Sequence, residues 1–112
     1  MTLKRCLLEM GMGVDLHGRD YTSSAAKAVR DALWHNSVTF PRVFGSGPDS
    51  MHVEVIIGSP KPEAVDGDTV LKVLPYGIKS IKVQSGGLEI PSEDGTDTTV
   101  ITNAAVLVSL DA

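Results

Sequence analysis

One cysteine in 112 residues, Cys6, leaves no partner for a disulfide and too few thiolates for a cysteine-only zinc site. Basic residues are outnumbered, ten Lys and Arg against fourteen Asp and Glu, for a net charge of −4. That balance argues against a general phosphate-backbone binder, so nucleic acid is not an expected partner. No apolar run approaches membrane-spanning length. After Lys4-Arg5 only Cys6-Leu7-Leu8 precede Glu9, too short for the apolar region of a signal peptide. No internal repeat, linker or low-complexity tract is present. What remains is 42% hydrophobic and 21% charged, an ordinary composition that excludes disorder. The length allows one domain, residues 1–112, able to bury a core. The expectation is a cytoplasmic chain with no membrane association.

Residues 3–16 carry the clearest periodicity. Cys6, Leu8, Met10, Met12, Val14 and Leu16 alternate with Arg5, Leu7, Glu9, Gly11, Gly13, Asp15 and His17. A strand points successive side chains to opposite faces, so the even set predicts a core face and the odd set a mixed one. The glycines are candidates for a bulge. Asp20 to Ser24 is a run of N-cap types, and Ala25, Ala28, Val29, Ala32 and Leu33 follow at helical spacing. This predicts a helix ending near Asn36, with one narrow face of small residues suited to lying close on a sheet. Residues 39–50 read as a loop, 51–57 as a second strand, and 63–74 as a short helix closed before Pro75. Residues 79–85 read as a third strand, 86–97 as irregular and 98–110 as a fourth strand. In that last strand Val100, Thr102, Ala104, Val106, Val108 and Leu110 share a face.

The order is β-α-β-α-β-β, an α+β class with one sheet and two helices on one of its faces. Nothing in the chain covers the second sheet face. It is expected to show Leu3, Leu7, Ile56, Ile101, Ala105 and Leu107 mixed with Arg5, Glu9, Glu54 and Asn103. That is too apolar for solvent, and self-association is the economical explanation.

Gly11-Met12-Gly13-Val14-Asp15-Leu16-His17-Gly18 is the densest functional candidate. On the strand reading Gly11 and Gly13 leave an empty strip beside Asp15 and His17, the clearance a close-approaching ligand needs. The glycines fit neither a dinucleotide fingerprint, since position 16 is Leu, nor a P-loop. Three readings are open for the pair. Asp15 and His17 bind a divalent metal, completed by water. Alternatively Asp15 orients His17 as the acid or base of a catalytic pair. In the third, Asp15 caps the following turn and Gly18 supplies a positive φ. Arg19 adds a group for a carboxylate or phosphate, with solvation the plainer reading.

At these residues the chain resembles a small family of uncharacterised proteins with an N-terminal GxGxDxHG signature, matched by Gly11, Gly13, Asp15, His17 and Gly18. That resemblance implies no activity. The segment 13–17 is also similar to the GxDxH opening of methylerythritol cyclodiphosphate synthase, which implies a divalent metal on Asp15 and His17 with His35 or His52 as a further ligand. The element order resembles the trimeric chorismate-mutase and RidA-like folds, which implies a trimer or a multiple of it with small-molecule sites between subunits.

No cofactor is identified beyond that metal. His35 otherwise suits a helix C-terminus, and His52 an interface hydrogen bond or a reach across the sheet to Asp15. Glu93, Asp94 and Asp97 read as a solvated loop, Trp34 and Cys6 as core, and Tyr76 as a pocket edge. The leading expectation is a site for a small polar metabolite on residues 11–19 near a subunit interface, enzymatic or not. The alternative is a non-catalytic homo-oligomeric assembly protein.

Overall fold

The structure, a computed structural model, describes residues 3–16, 19–34, 51–74 and 77–111, without the side chains of Cys6 and Asp111. The expectations for His17, Gly18, His35, Tyr76, the loop 39–50 and the Cys6 side chain lie outside the described residues. The elements are β1 (Leu3–Asp15), α1 (Tyr21–Trp34), β2 (His52–Ser59), a 3-10 turn (Pro62–Ala64), α2 (Gly67–Leu71), β3 (Ile78–Ser85), β4 (Leu88–Pro91) and β5 (Thr98–Asp111). The class is α+β as the pattern predicts. Two elements differ. The second helix is a single turn and a half, started by Asp66, whose carboxylate accepts from Thr69 N and Oγ1. A short strand, β4, lies inside the stretch read as irregular.

The strands form one mixed sheet in the order β1-β5-β2-β3, with β4 also paired to β5. Among the described strands only β2 and β3 run parallel. The chain passes from β3 to β4 across the end of β2 through Gly86 and Gly87. Gly87 has φ +67°, and a Cβ there would overlap the Ile101 carbonyl, so glycine is required. Both helices pack on one face, over a core of Ala25, Ala28, Val29 and Ala32 from α1 and Val53, Val55, Ile57, Val106 and Val108 from the sheet.

The first strand reverses the expected faces. Arg5 pairs with Ser109 but Leu7 pairs with Val108, so one extra residue bulges between them. The bulge is upstream of the glycines, not at them. Beyond it Leu7, Glu9, Gly11 and Gly13 face the helices, while Leu8, Met10 and Met12 face outward. Leu8, Met10, Met12 and Leu16 are therefore exposed and not core, and Leu7 and Glu9 leave the outer face. The remaining outer-face set is as the alternation predicts, except that Leu107, expected on display there, is buried. Trp34, expected to pack, is 86% exposed.

The physical reason is the fit of small residues to small residues. A Cβ on Gly13 would overlap the Ser24 carbonyl and sit 2.5 Å from Ala28 N, and one on Gly11 would overlap the Ala28 carbonyl. Helix α1 thus lies with its backbone against the backbone of β1, and only glycine permits it. Ser24 Oγ donates to the Gly13 carbonyl at 2.9 Å, with the Val100 carbonyl at 3.3 Å. Asp31 accepts from Met12 N at 2.9 Å, and Lys27 Nζ donates to the Val14 carbonyl at 3.2 Å.

Candidate functional site

The turn from β1 into α1 is organised by carboxylates. Asp15, the last residue of β1 and buried, accepts the backbone N–H of Asp20 on Oδ2 at 3.0 Å. Asp20 in turn accepts Ser23 N on Oδ1 at 2.9 Å, the N-cap bond of α1, while its carbonyl accepts Ser24 N. Of the first N–H groups of the helix, that of Ser23 is thereby met by a side chain. Of the three readings open for Asp15, the turn-capping geometry is the one these contacts draw.

Arg19 is the one non-glycine residue with positive φ among the described residues, at +50°. That conformation aims its side chain at the start of β5, where Nε donates to Thr98 Oγ1 at 3.2 Å. Next to it the Tyr21 hydroxyl donates to the Glu89 carboxylate on β4, and Lys61 Nζ stands 6.0 Å from the ring centre. The bond to Glu89, then burial, then the Glu89 charge raise the Tyr21 pKa above its ordinary value, against a lesser opposing effect of Arg19. Sequence reasoning missed Thr98, Glu89 and the bridging role of Ser24. Their partners lie 79, 68 and 11 positions away, and no local pattern carries such pairings.

The expected site residues that are described do not form one cluster. Asp15 bonds Asp20 at the turn, while Arg19 bonds Thr98. Gly11 and Gly13 do not flank an empty strip, because α1 fills the space beside them; their clearance serves the helix. His52 is paired with Ser109 while Asp15 is paired with Val100. Nine residues of β5 separate those positions, roughly 30 Å at strand rise, so His52 cannot join Asp15 or share a metal with it. Among the described residues no group of three or more His, Cys, Asp or Glu is arranged for a metal ion. Asp94 is held in a turn by Ser92 Oγ and by Thr96 N and Oγ1.

Among the described residues, hollows open on the outer side of the sheet, three of which bear on the candidate site. One of ≈ 410 Å³ lies beside the turn, between Leu16 and the β4–β5 hairpin at Ile90, Asp97 and Thr99. A second, ≈ 370 Å³, lies over Gly58, Gly86 and Gly87 next to Asn103 and Met10. The third, ≈ 310 Å³, surrounds His52 at the opposite end.

Residues 5–108 match the family model described as "Conserved hypothetical protein (Lin0512_fam)". The chain belongs to the Lin0512_fam family. A crystal structure described as that of an FtsZ-like protein of unknown function from Nostoc punctiforme is similar to this Lin0512_fam chain throughout. The TM-score is 0.90 and the identity 39%, over 100% of this chain and 99% of the other. The comparison with curated proteins gives no match. No described helix of this Lin0512_fam member is long and apolar enough to cross a membrane.

Proposed function

We propose that this protein is the subunit of a homo-oligomer and that a second copy of the chain covers the outer face of the sheet. One observation carries the reading: Leu8, Met10, Met12, Leu16, Leu88 and Ile90 are each at least half exposed, and they lie together on that face. With the partly exposed Val14, Ile56, Ile101 and Ala105 they present on the order of 800 Å² of apolar surface, one side of a standard protein interface. Monomers rarely expose more than about 300–600 Å² in one patch.

The occupant is a second copy stacked face to face rather than a strand added to the β1 edge. Asp31 and Lys27 already take the Met12 N–H and Val14 carbonyl, groups an incoming strand would need. On this reading Gly11, Gly13, Asp15 and Asp20 serve the assembly by locking α1 onto β1, which pushes the bulky side chains of β1 outward. Three subunits, or a multiple, is the number that the chorismate-mutase-like resemblance implies.

Light scattering in dilute buffer should give a mass that is a multiple of 11.9 kDa. Met10→Glu and Leu88→Glu should each reduce it to one subunit while leaving the circular dichroism native, since both side chains are exposed in the single chain. Wild-type protein running as a monomer at tens of micromolar would overturn the proposal.

A further inference from the structure

The outer face of the sheet sets a ridge beside a hollow. Along β1 the ridge is Leu8, Met10 and Met12, and Met10, at 71%, is the most exposed of them. Strand β5 runs next to it, with the shorter side chains of Asn103 and Ala105 at the same level. Beyond these, Gly58 of β2 is paired with Asn103, and the ≈ 370 Å³ hollow lies over Gly58, Gly86 and Gly87. Ridge and hollow thus flank one low column, each a strand spacing of about 4.8 Å to its side. One end of the same face carries two charges. Arg5 on β1 is level with Ser109, and Glu54 on β2 is level with Leu107, one row further along. Both are exposed, and among the described residues neither side chain makes an ion pair or hydrogen bond within the chain.

We infer that two copies meet across this face about a two-fold axis running along β5, so that β1 of each lies over β2 of the other. This rests on the assembly reading above and goes beyond it by fixing how the copies are turned. Sheets stacked face to face keep their strands within about 30° of each other, which leaves two ways round. With the axis along β5, Met10 and Met12 of each copy enter the hollow of the other. Methionine is unbranched and flexible, suited to an irregular gap floored by glycine. Asn103 and Ala105 let the sheets close up over the axis. Arg5 of each copy comes over β2 of the other, one row from Glu54. That is about 6.6–6.8 Å along the strand, a distance the long arginine side chain spans to reach a carboxylate. Turning the second copy end for end about the same centre does the opposite. It lays Met10 on Met12, sets Arg5 against Leu16 and Glu54 against Leu88, and buries both charges without a counter-ion. Only the first arrangement is self-complementary in both shape and charge. A two-fold contact makes the subunit number even, so six is the smallest multiple of three that it admits.

The test joins mass measurement to an exchange of charges. Arg5→Glu and Glu54→Arg, both exposed and outside the core, should keep native circular dichroism. Each alone sets like charges across the contact twice, once from either copy. Each should therefore weaken self-association about tenfold or more in sedimentation equilibrium. The double variant Arg5→Glu/Glu54→Arg restores opposite charges and should recover association to within about threefold of the wild type. Cross-linking reads the orientation a second time, in a Cys6→Ser background. Asn103→Cys, beside the axis, should join two chains through a short bismaleimide. Lys82→Cys, two strands out on β3, stands about 19 Å or more from its counterpart and should not. End-for-end stacking would bring those two together instead. A monomeric wild type sinks the assembly reading and this contact with it. An assembled wild type overturns this contact alone if the single variants associate as tightly, if the double is no tighter than the singles, or if Lys82→Cys joins chains.

Discussion

Gly13 and Asp15 are two residues apart, face the same way and do opposite things. Gly13 is there for what it lacks. Gly13→Ala places a methyl group against the Ser24 carbonyl and Ala28 N of the helix backbone, which cannot rotate away. Such overpacking should destabilise the fold by about 1–3 kcal/mol or more, read as a lower midpoint in urea unfolding. Asp15 is there for what it accepts. Asp15→Ala strands the Asp20 N–H and should lose about 1–3 kcal/mol, whereas Asp15→Asn, which keeps an acceptor oxygen, should lose less. Alkaline pH supplies a third check. The raised Tyr21 pKa means that the neutral phenol is favoured in the folded state. The stability from its bond to Glu89 is then full below pH 10 and lost as pH rises through the higher folded pKa. Tyr21→Phe should remove that alkaline loss from a stability-against-pH curve. The GxGxDxHG residues stood out in the sequence, but their use did not. A glycine strip reads equally as room for a ligand or for a helix, and the deciding partner was the alanine stripe of Ala25, Ala28 and Ala32, already visible at helical spacing.

Among the elements, β2, β3 and β5 were legible because each has one apolar face and one mixed face, and burial follows the alternation. Strand β1 was misread for a definite reason. Its even positions are the more apolar, and hydrophobicity alone assigns them to the core. The core side of a sheet is set by where the helix lands, and α1 lands where backbones can touch. The bulge after Arg5 is where the parity changes, and nothing in Arg5-Cys6-Leu7 announces it. Strand β4 was missed because four residues with a proline at the end carry too little pattern. Its hairpin to β5 is held by Asp94, whose bonds from the Ser92 hydroxyl and from Thr96 pull its pKa down to about 2. A depressed carboxylate stabilises above its ordinary 3.8 and loses that contribution as pH falls towards 2. Asp94→Ala should therefore open the hairpin at neutral pH, seen as faster amide exchange at Ser92, Thr96 and Asp97, and acid should do the same to the wild type.

For the whole molecule, the pairing of β1 with β5 along nearly its full length, from Leu3 opposite Asp111 to Asp15 opposite Val100, has a consequence for synthesis. On the ribosome β1 emerges about ninety residues ahead of β5, its partner among the described strands. During that interval α1 can settle on Gly11 and Gly13 and take up three backbone groups of β1, but Leu8, Met10 and Met12 have no sheet behind them. Contacts between distant segments close slowly, and an incomplete chain with open strand edges and bare methionines invites aggregation. A polypeptide stopped at residue 97, carrying every element except β5, should therefore pellet or bind a chaperone holdase where the chain through residue 111 stays dispersed. Supplying residues 98–111 as a separate peptide while that fragment refolds should restore it to the supernatant, making β5 the closing piece on which the nascent chain waits.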